Sequence, residues 1–203
     1  KADTLNIITE LFPVYSKVFW TGSLGIADGL AQYLYGDSKR QAIRDRNIKS
    51  IGFCASAYAK AKNQIAYSKR NGLQVTEIDI DALIDGSRPS VINRVTEDFL
   101  KKNQNGNVIF VPRVVKYSYK PGVSKIIMEC IEECASKICR TAKYERLVII
   151  GGETSQSIFR VLGVESLELK NKIEAGVAEG VIQNGVPCGK EFALKGGSVG
   201  SES

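Results

Sequence analysis

Short aliphatic runs and longer amphipathic stretches follow one another along this chain, and that alternation restricts the fold more than any other feature. Strand-like runs fall at 17–21 (KVFWT), 48–54, 75–80, 108–115, 147–150 and 166–169, with a further one at 192–195. Between them, 7–15, 26–35, 57–70, 124–142 and 154–162 read as helices, as does the segment opening at Pro89. In that last segment Val91, Ile92, Val95 and Phe99 share one helical face. Ile127, Ile131, Cys134 and Ile138 do the same within 124–142. Strands separated by helices build βαβ units, and these close into a largely parallel sheet with helices on both faces. The expected fold is therefore α/β, a Rossmann-like three-layer domain. The opening segment is a helix with no strand before it, which predicts a domain cut from a longer chain.

Three of the runs end in glycine. KVFWT meets Gly22-Ser23-Leu24-Gly25, the run at 147–150 meets Gly151-Gly152-Glu153-Thr154-Ser155, and Lys195 is followed by Gly196-Gly197-Ser198-Val199-Gly200. Glycine lets a ligand approach the backbone and permits positive φ. A helix that starts just afterwards offers unpaired N–H groups and a partial positive charge, which suit phosphate. The carboxyl ends of parallel strands are also where an open α/β sheet holds ligands. At any one of these places the alternative is a plain strand-to-helix turn, with Thr154 as N-cap in the second. No G-x-x-x-x-G-K-[ST] is present: the nearest segment, GVPCGK at 185–190, is one residue short and leads into a strand. Gly22, Gly25 and Gly29 do not make the dinucleotide fingerprint, which speaks against a dinucleotide oxidoreductase.

Composition narrows the chemistry. The chain has no histidine, so Ser-His-Asp and Cys-His catalysis and His-based metal centres are excluded. The net charge of +6 comes from scattered lysines and arginines rather than a basic stripe, and suits an anionic small molecule better than nucleic acid. Cys130, Cys134 and Cys139 fall on one expected helix, where small core packing explains them better than metal ligation. With Cys54 and Cys188 they form no disulfide framework. No apolar run approaches the ~20 residues that cross a bilayer, and Asp3 and Glu10 interrupt any signal-like core, so a cytoplasmic protein without a membrane partner is expected.

LVIIGGETSQSIFRVLGVESLEL at 147–169, NKIEAGV at 171–177 and FALKGGSVGSES at 192–203 together resemble the C-terminal nucleotide-binding domain of the four-carbon acid sugar kinase family. Upstream, WTGSLGIADGLAQYL is similar to that family's G-S-x-G-L-A segment, and SIGFCASAYAKAKNQI to its S-G-S-x-S-P segment. The resemblance runs from about Trp20 onward and assigns residues 1–203 to one nucleotide-binding domain. It implies an ATP-dependent kinase for sugar acids such as threonate, erythronate or 3-oxo-tetronates, with an N-terminal domain holding much of the sugar-acid site. It carries ATP contacts to Ser56, Gly151, Gly152, Glu153, Thr154 and Gly197, with Ser23 and Lys195 as further candidates. It also makes Glu153 a ligand for Mg²⁺, directly or through water; a first-turn acid complementing the helix dipole is the competing explanation. No catalytic base is implied within this chain, and a homo-oligomer is compatible with it. Ala55, Tyr58, Ala178, Gly196 and Val199 depart from the family pattern. They leave open a second function, a non-catalytic nucleotide- or phosphate-binding regulatory module of the same fold.

Overall fold

A computed structural model describes residues 2–36 apart from 16, 18 and 23, and residues 47–200 apart from 119 and 175. Two compact units make up the chain, 1–43 and 44–203. The first holds helices α1 (Ala2–Leu11) and α2 (Leu24–Tyr35). Its small core gathers the Phe12 ring, stacked on Trp20 at 6.3 Å and tilted against Tyr33 at 5.0 Å. The strand expected at 17–21 is not formed: residues 19–22 have no regular structure, and Phe19 is 91% exposed. A short apolar run has no partner edge within this unit, and Trp20 stacks on Phe12 instead.

The second unit contains β1 (Ser50–Cys54), α3 (Ala59–Arg70), β2 (Gln74–Asp79), α4 (Ile80–Asp85), α5 (Arg88–Asn105) and β3 (Val108–Arg113). It continues with α6 (Val123–Thr141), β4 (Arg146–Ile150), α7 (Gly152–Leu162), β5 (Leu167–Glu174), β6 (Val177–Ile182) and β7 (Glu191–Lys195). The seven strands form one sheet in the order β2-β3-β1-β4-β7-β6-β5. The five from β2 to β7 are parallel, while β6 and β5 run antiparallel at one edge. This is the expected α/β, Rossmann-like layering with a mostly parallel sheet.

The two faces are covered unequally. On one, Phe53 stacks on Phe99 at 6.0 Å and tilts against Phe110 at 5.9 Å, amid buried side chains of α4, α5, α6 and α7. Full burial of each such side chain contributes about 1.5–3 kcal/mol. Cys130, Cys134 and Cys139 of α6 lie in this core beside Ile131 and Ile138, as small apolar groups. On the other face, a smaller cluster of Cys54, Ala61, Ile109 and Ile150 packs beneath α3. Farther along that face, Arg146 of β4 bonds Glu191 of β7 at 2.6 Å and approaches Glu179 of β6 at 3.7 Å.

The strand order sets the site. From β1 the chain travels through α3 toward β2 on one side; from β4 it travels through α7 toward the other. β1 and β4 are direct neighbours, with Cys54 level with Ile150. Where adjacent parallel strands send their connections apart, a crevice opens at their carboxyl ends.

Candidate functional site

That crevice is a cleft of about 740 Å³, within the usual range for a small-molecule site. Its walls come from the carboxyl ends of four strands. β1 supplies Ala55 to Tyr58, β4 supplies Gly151 to Thr154, β7 supplies Gly197, and the β3–α6 connection supplies Val114, Ser118 and Lys120. The first turns of α6 add Val123, Ser124, Ile127 and Met128. One wall is thus backbone and hydroxyl, and the facing one mostly aliphatic.

Three helices begin at this cleft, and none has a side-chain cap. Their N-cap residues are Tyr58 for α3, Gly122 for α6 and Gly151 for α7. Helix starts leave unpaired N–H groups, and at a cleft those groups can receive an anion. The α7 start is the most developed. Gly151 adopts φ +115°, a conformation L side chains rarely take, and an added Cβ would stand 2.9 Å from Thr154 Oγ1. Its N–H donates to Lys195 O at 2.9 Å, tying the ends of β4 and β7 together. Ser155 donates its hydroxyl back to Gly151 O at 2.8 Å and is thereby occupied. Thr154 is only 2% exposed and lines the cleft, yet its hydroxyl has no hydrogen-bond partner among the described residues. It stands in the first turn of α7, three residues beyond the N-cap, so it is not the cap that a plain turn would need. Its oxygen is not among the buried polar atoms left without a partner, so it opens to the cleft, where a ligand can reach it.

Gly197 approaches Ser56 closely. A Cβ there would overlap Ser56 Oγ and stand 2.9 Å from Tyr58 Cδ2 and 3.0 Å from Ser56 Cβ. The Ser56 hydroxyl accepts from the Tyr58 N–H at 3.4 Å. Glu153 is exposed at the cleft beside these groups.

The structure therefore brings Ser56, Gly151, Gly152, Glu153, Thr154 and Gly197 together. It places Lys195 elsewhere: its side chain lines a separate groove of about 320 Å³ beneath α3 and donates to Gly196 O at 3.0 Å. Ser23 lies outside the described residues. The glycines around it follow no strand, so the three glycine-ended strands expected from the sequence reduce to β4 and β7. The cation that does line the cleft is Lys120, in a connection carrying no motif; only the three-dimensional return of β3 into α6 reveals it. No group of three or more Cys, Asp or Glu side chains poised for a metal occurs among the described residues. A divalent ion at Glu153 would depend on a ligand's own oxygens and on water for most of its shell.

The model of the nucleotide-binding C-terminal domain family matches residues 52–203, which include all the groups converging on the cleft. Curated proteins give no match. Among solved structures, a domain of unknown function (DUF1537) from Bordetella bronchiseptica, a domain-swapped dimer with bound citrate, superposes with a TM-score of 0.65. It is 16% identical, over 99% of this chain and 48% of that one. A Haemophilus influenzae protein of the same group superposes with a TM-score of 0.68 at 18% identity, over 88% of this chain and 44% of that one. This chain thus spans less than half the length of either. With a parallel sheet, a glycine-lined cleft at its switch point and three quarters of its length matched, the chain belongs to the nucleotide-binding C-terminal domain family, as its resemblance to the four-carbon acid sugar kinases implied.

Proposed function

We propose that this chain is the ATP-binding half of a cytoplasmic four-carbon acid sugar kinase acting on threonate-, erythronate- or 3-oxo-tetronate-like acids. The observation that carries the reading is the unpartnered Thr154 hydroxyl at the uncapped start of α7, open to the cleft that Ser56 and Gly197 also line. Phosphoryl transfer is mainly positioning and charge neutralisation, and these groups supply both. The N–H groups of Gly152 to Thr154 and the Thr154 hydroxyl donate to phosphate oxygens, Ser56 completes the cradle, and Lys120 offsets charge. Mg²⁺ would be held by Glu153 and the phosphates, and supplies charge neutralisation on the group transferred. The aliphatic wall of Val114, Val123, Ile127 and Met128 suits the apolar faces of a nucleobase.

The sugar acid and the base that activates its hydroxyl belong to the N-terminal kinase domain. The citrate held by the Bordetella neighbour agrees with organic-acid substrates in this group, and its domain-swapped dimer with a homo-oligomer. Calorimetry with ADP and Mg²⁺ tests the reading: weak binding and negligible turnover by this chain alone are expected. No heat at millimolar nucleotide, from folded protein, refutes it.

Ala55 and Tyr58 favour a second reading, a regulatory module that binds nucleotide or phosphate without catalysis. Tyr58 is exposed at the cleft where the family carries a serine. Turnover of D-threonate or D-erythronate after adding an N-terminal kinase domain would eliminate it.

A further inference from the structure

The geometry points to Asp81 and Asp85 as positioning residues that hold the β3–α6 connection so that Lys120 faces the ligand cleft. This inference rests on the nucleotide reading of that cleft.

Helix α4 has only six residues, but it is firmly seated. Ile80 and Leu83 are buried in the main core, and Asp79 caps the helix by accepting the Ala82 N–H at 3.0 Å. Asp81 and Asp85 are four residues apart and so share its outer face. Neither carboxylate serves α4. Asp81 Oδ2 accepts the N–H groups of Val115 and Lys116, both at 2.9 Å, and Oδ1 accepts that of Tyr117 at 3.1 Å. Asp85 accepts Lys116 Nζ at 2.8 Å and the Tyr117 hydroxyl at 2.6 Å. An ordinary exposed ion pair contributes at most about 1 kcal/mol. A carboxylate that gathers three successive backbone donors is different, because it fixes the path of the chain as well as a charge.

What is fixed leads directly to the cleft. Tyr117 O accepts the Lys120 N–H at 2.9 Å, and Lys120 O accepts that of Val123, the first residue of α6, at 3.3 Å. Lys120 Nζ lies 4.8 Å from the centre of the Tyr117 ring, whose hydroxyl Asp85 holds. The path from Asp81 and Asp85 through Tyr117 thus sets both Lys120 and the uncapped start of α6. Ser118, Lys120, Val123 and Ser124, all on this path, line the cleft. Burial raises the Asp81 carboxyl, but the N–H groups of Lys116, Val115 and Tyr117 and the Arg113 charge overcome it and hold the group below its ordinary value.

The test uses Asp81→Ala, Lys120→Ala and the double variant, read by ADP titration with Mg²⁺ and by trypsin cleavage after Lys116. Each single variant is expected to weaken ADP binding about tenfold, the scale of one interaction with a charged partner. The double variant should be no weaker than Lys120→Ala within about twofold, since a residue acting only through another adds nothing once that one is gone. Asp81→Ala should be cut after Lys116 several-fold faster than wild type, and Lys120→Ala should not. Losses that multiply, or an unchanged cleavage rate, overturn the inference while leaving the nucleotide reading intact. A folded wild type that binds no ADP overturns both. Should Asp81→Ala fail to fold, Asp81→Asn, which keeps an acceptor but no charge, is expected to bind ADP with an affinity between those of wild type and Lys120→Ala and to be cut after Lys116 faster than wild type; wild-type behaviour in both overturns the inference.

Discussion

Replacing Thr154 with valine keeps the shape of the side chain and removes only the hydroxyl, so its effects on stability and on binding separate two explanations of the α7 start. If Thr154 served as a helix cap, losing the hydroxyl would cost about 1 kcal/mol of stability. The structure gives it no such duty: Gly151 is the N-cap, and the hydroxyl, without a partner among the described residues, opens to the cleft. An unpaired hydroxyl that still meets water in the cleft contributes little to stability, so removing it should leave the free protein within about 0.5 kcal/mol of wild type. For a domain of this size that is a change of at most about 2 °C in Tm. The same hydroxyl, once bonded to a phosphate oxygen, is worth about 1.5–3 kcal/mol, so ADP affinity should fall about 10- to 100-fold. Denaturation of the free protein gives the first quantity and calorimetry with ADP and Mg²⁺ the second. A valine variant that loses stability yet binds ADP as wild type does would refute the assignment of Thr154 to the ligand.

Gly197→Ala should destabilise by about 1–3 kcal/mol, because its Cβ would overlap Ser56 Oγ and crowd Tyr58. Adding Ser56→Ala should recover part of that in a thermal melt without recovering ADP binding. Asp81 and Asp85 are both held below the ordinary 3.8, the first by the loop amides and Arg113 against burial, the second by Lys116 and Tyr117. Their contribution is therefore complete above about pH 4 and is lost as pH falls through the lower folded-state values. Denaturant midpoints measured from pH 6 down to 2.5 should fall over that lower range, and less so in Asp81→Asn. With iodoacetamide at pH 8, Cys188 should react first, since it is exposed while the other four are buried. Burial also pushes the Cys139 thiol up to about 12 and raises that of Cys54. Mass spectrometry of the modified peptides reads the order.

Much of the second unit was legible because its strands are local signals. Runs such as Leu147–Ile150 are aliphatic for the reason that both faces of a central parallel strand are buried, and β1, β2, β3, β4 and β7 fall within two residues of their expected positions. β6 escaped notice. Its sequence VAEGVI carries Glu179 and Gly180, which break the apolar pattern; Gly180 is there because a side chain would strike Glu168 O and the Phe192 ring. The run KVFWT failed in the opposite sense, being apolar enough for a strand but having no sheet to join. The glycine-lined half of the cleft was readable, since Gly151, Gly152 and Thr154 are contiguous and Gly197 follows β7. The Lys120 half was not. Asp81 and Lys120 are brought together by the packing of α4 on the β3–α6 connection, and nothing local to either position announces it.

β7 is the latest of the seven strands to leave the ribosome, yet it fills the gap between β4 and β6. Until residues 191–195 emerge, the flank of β4 has no neighbour, and the β5–β6 hairpin has nothing to attach to. Such a half-built sheet presents a sticky margin to other nascent chains. Gly197 follows two residues behind β7, so the glycine-lined wall of the cleft is complete only when that strand is inserted. Products cut short before residue 191 should therefore be insoluble and lack the Gly197 wall of the cleft.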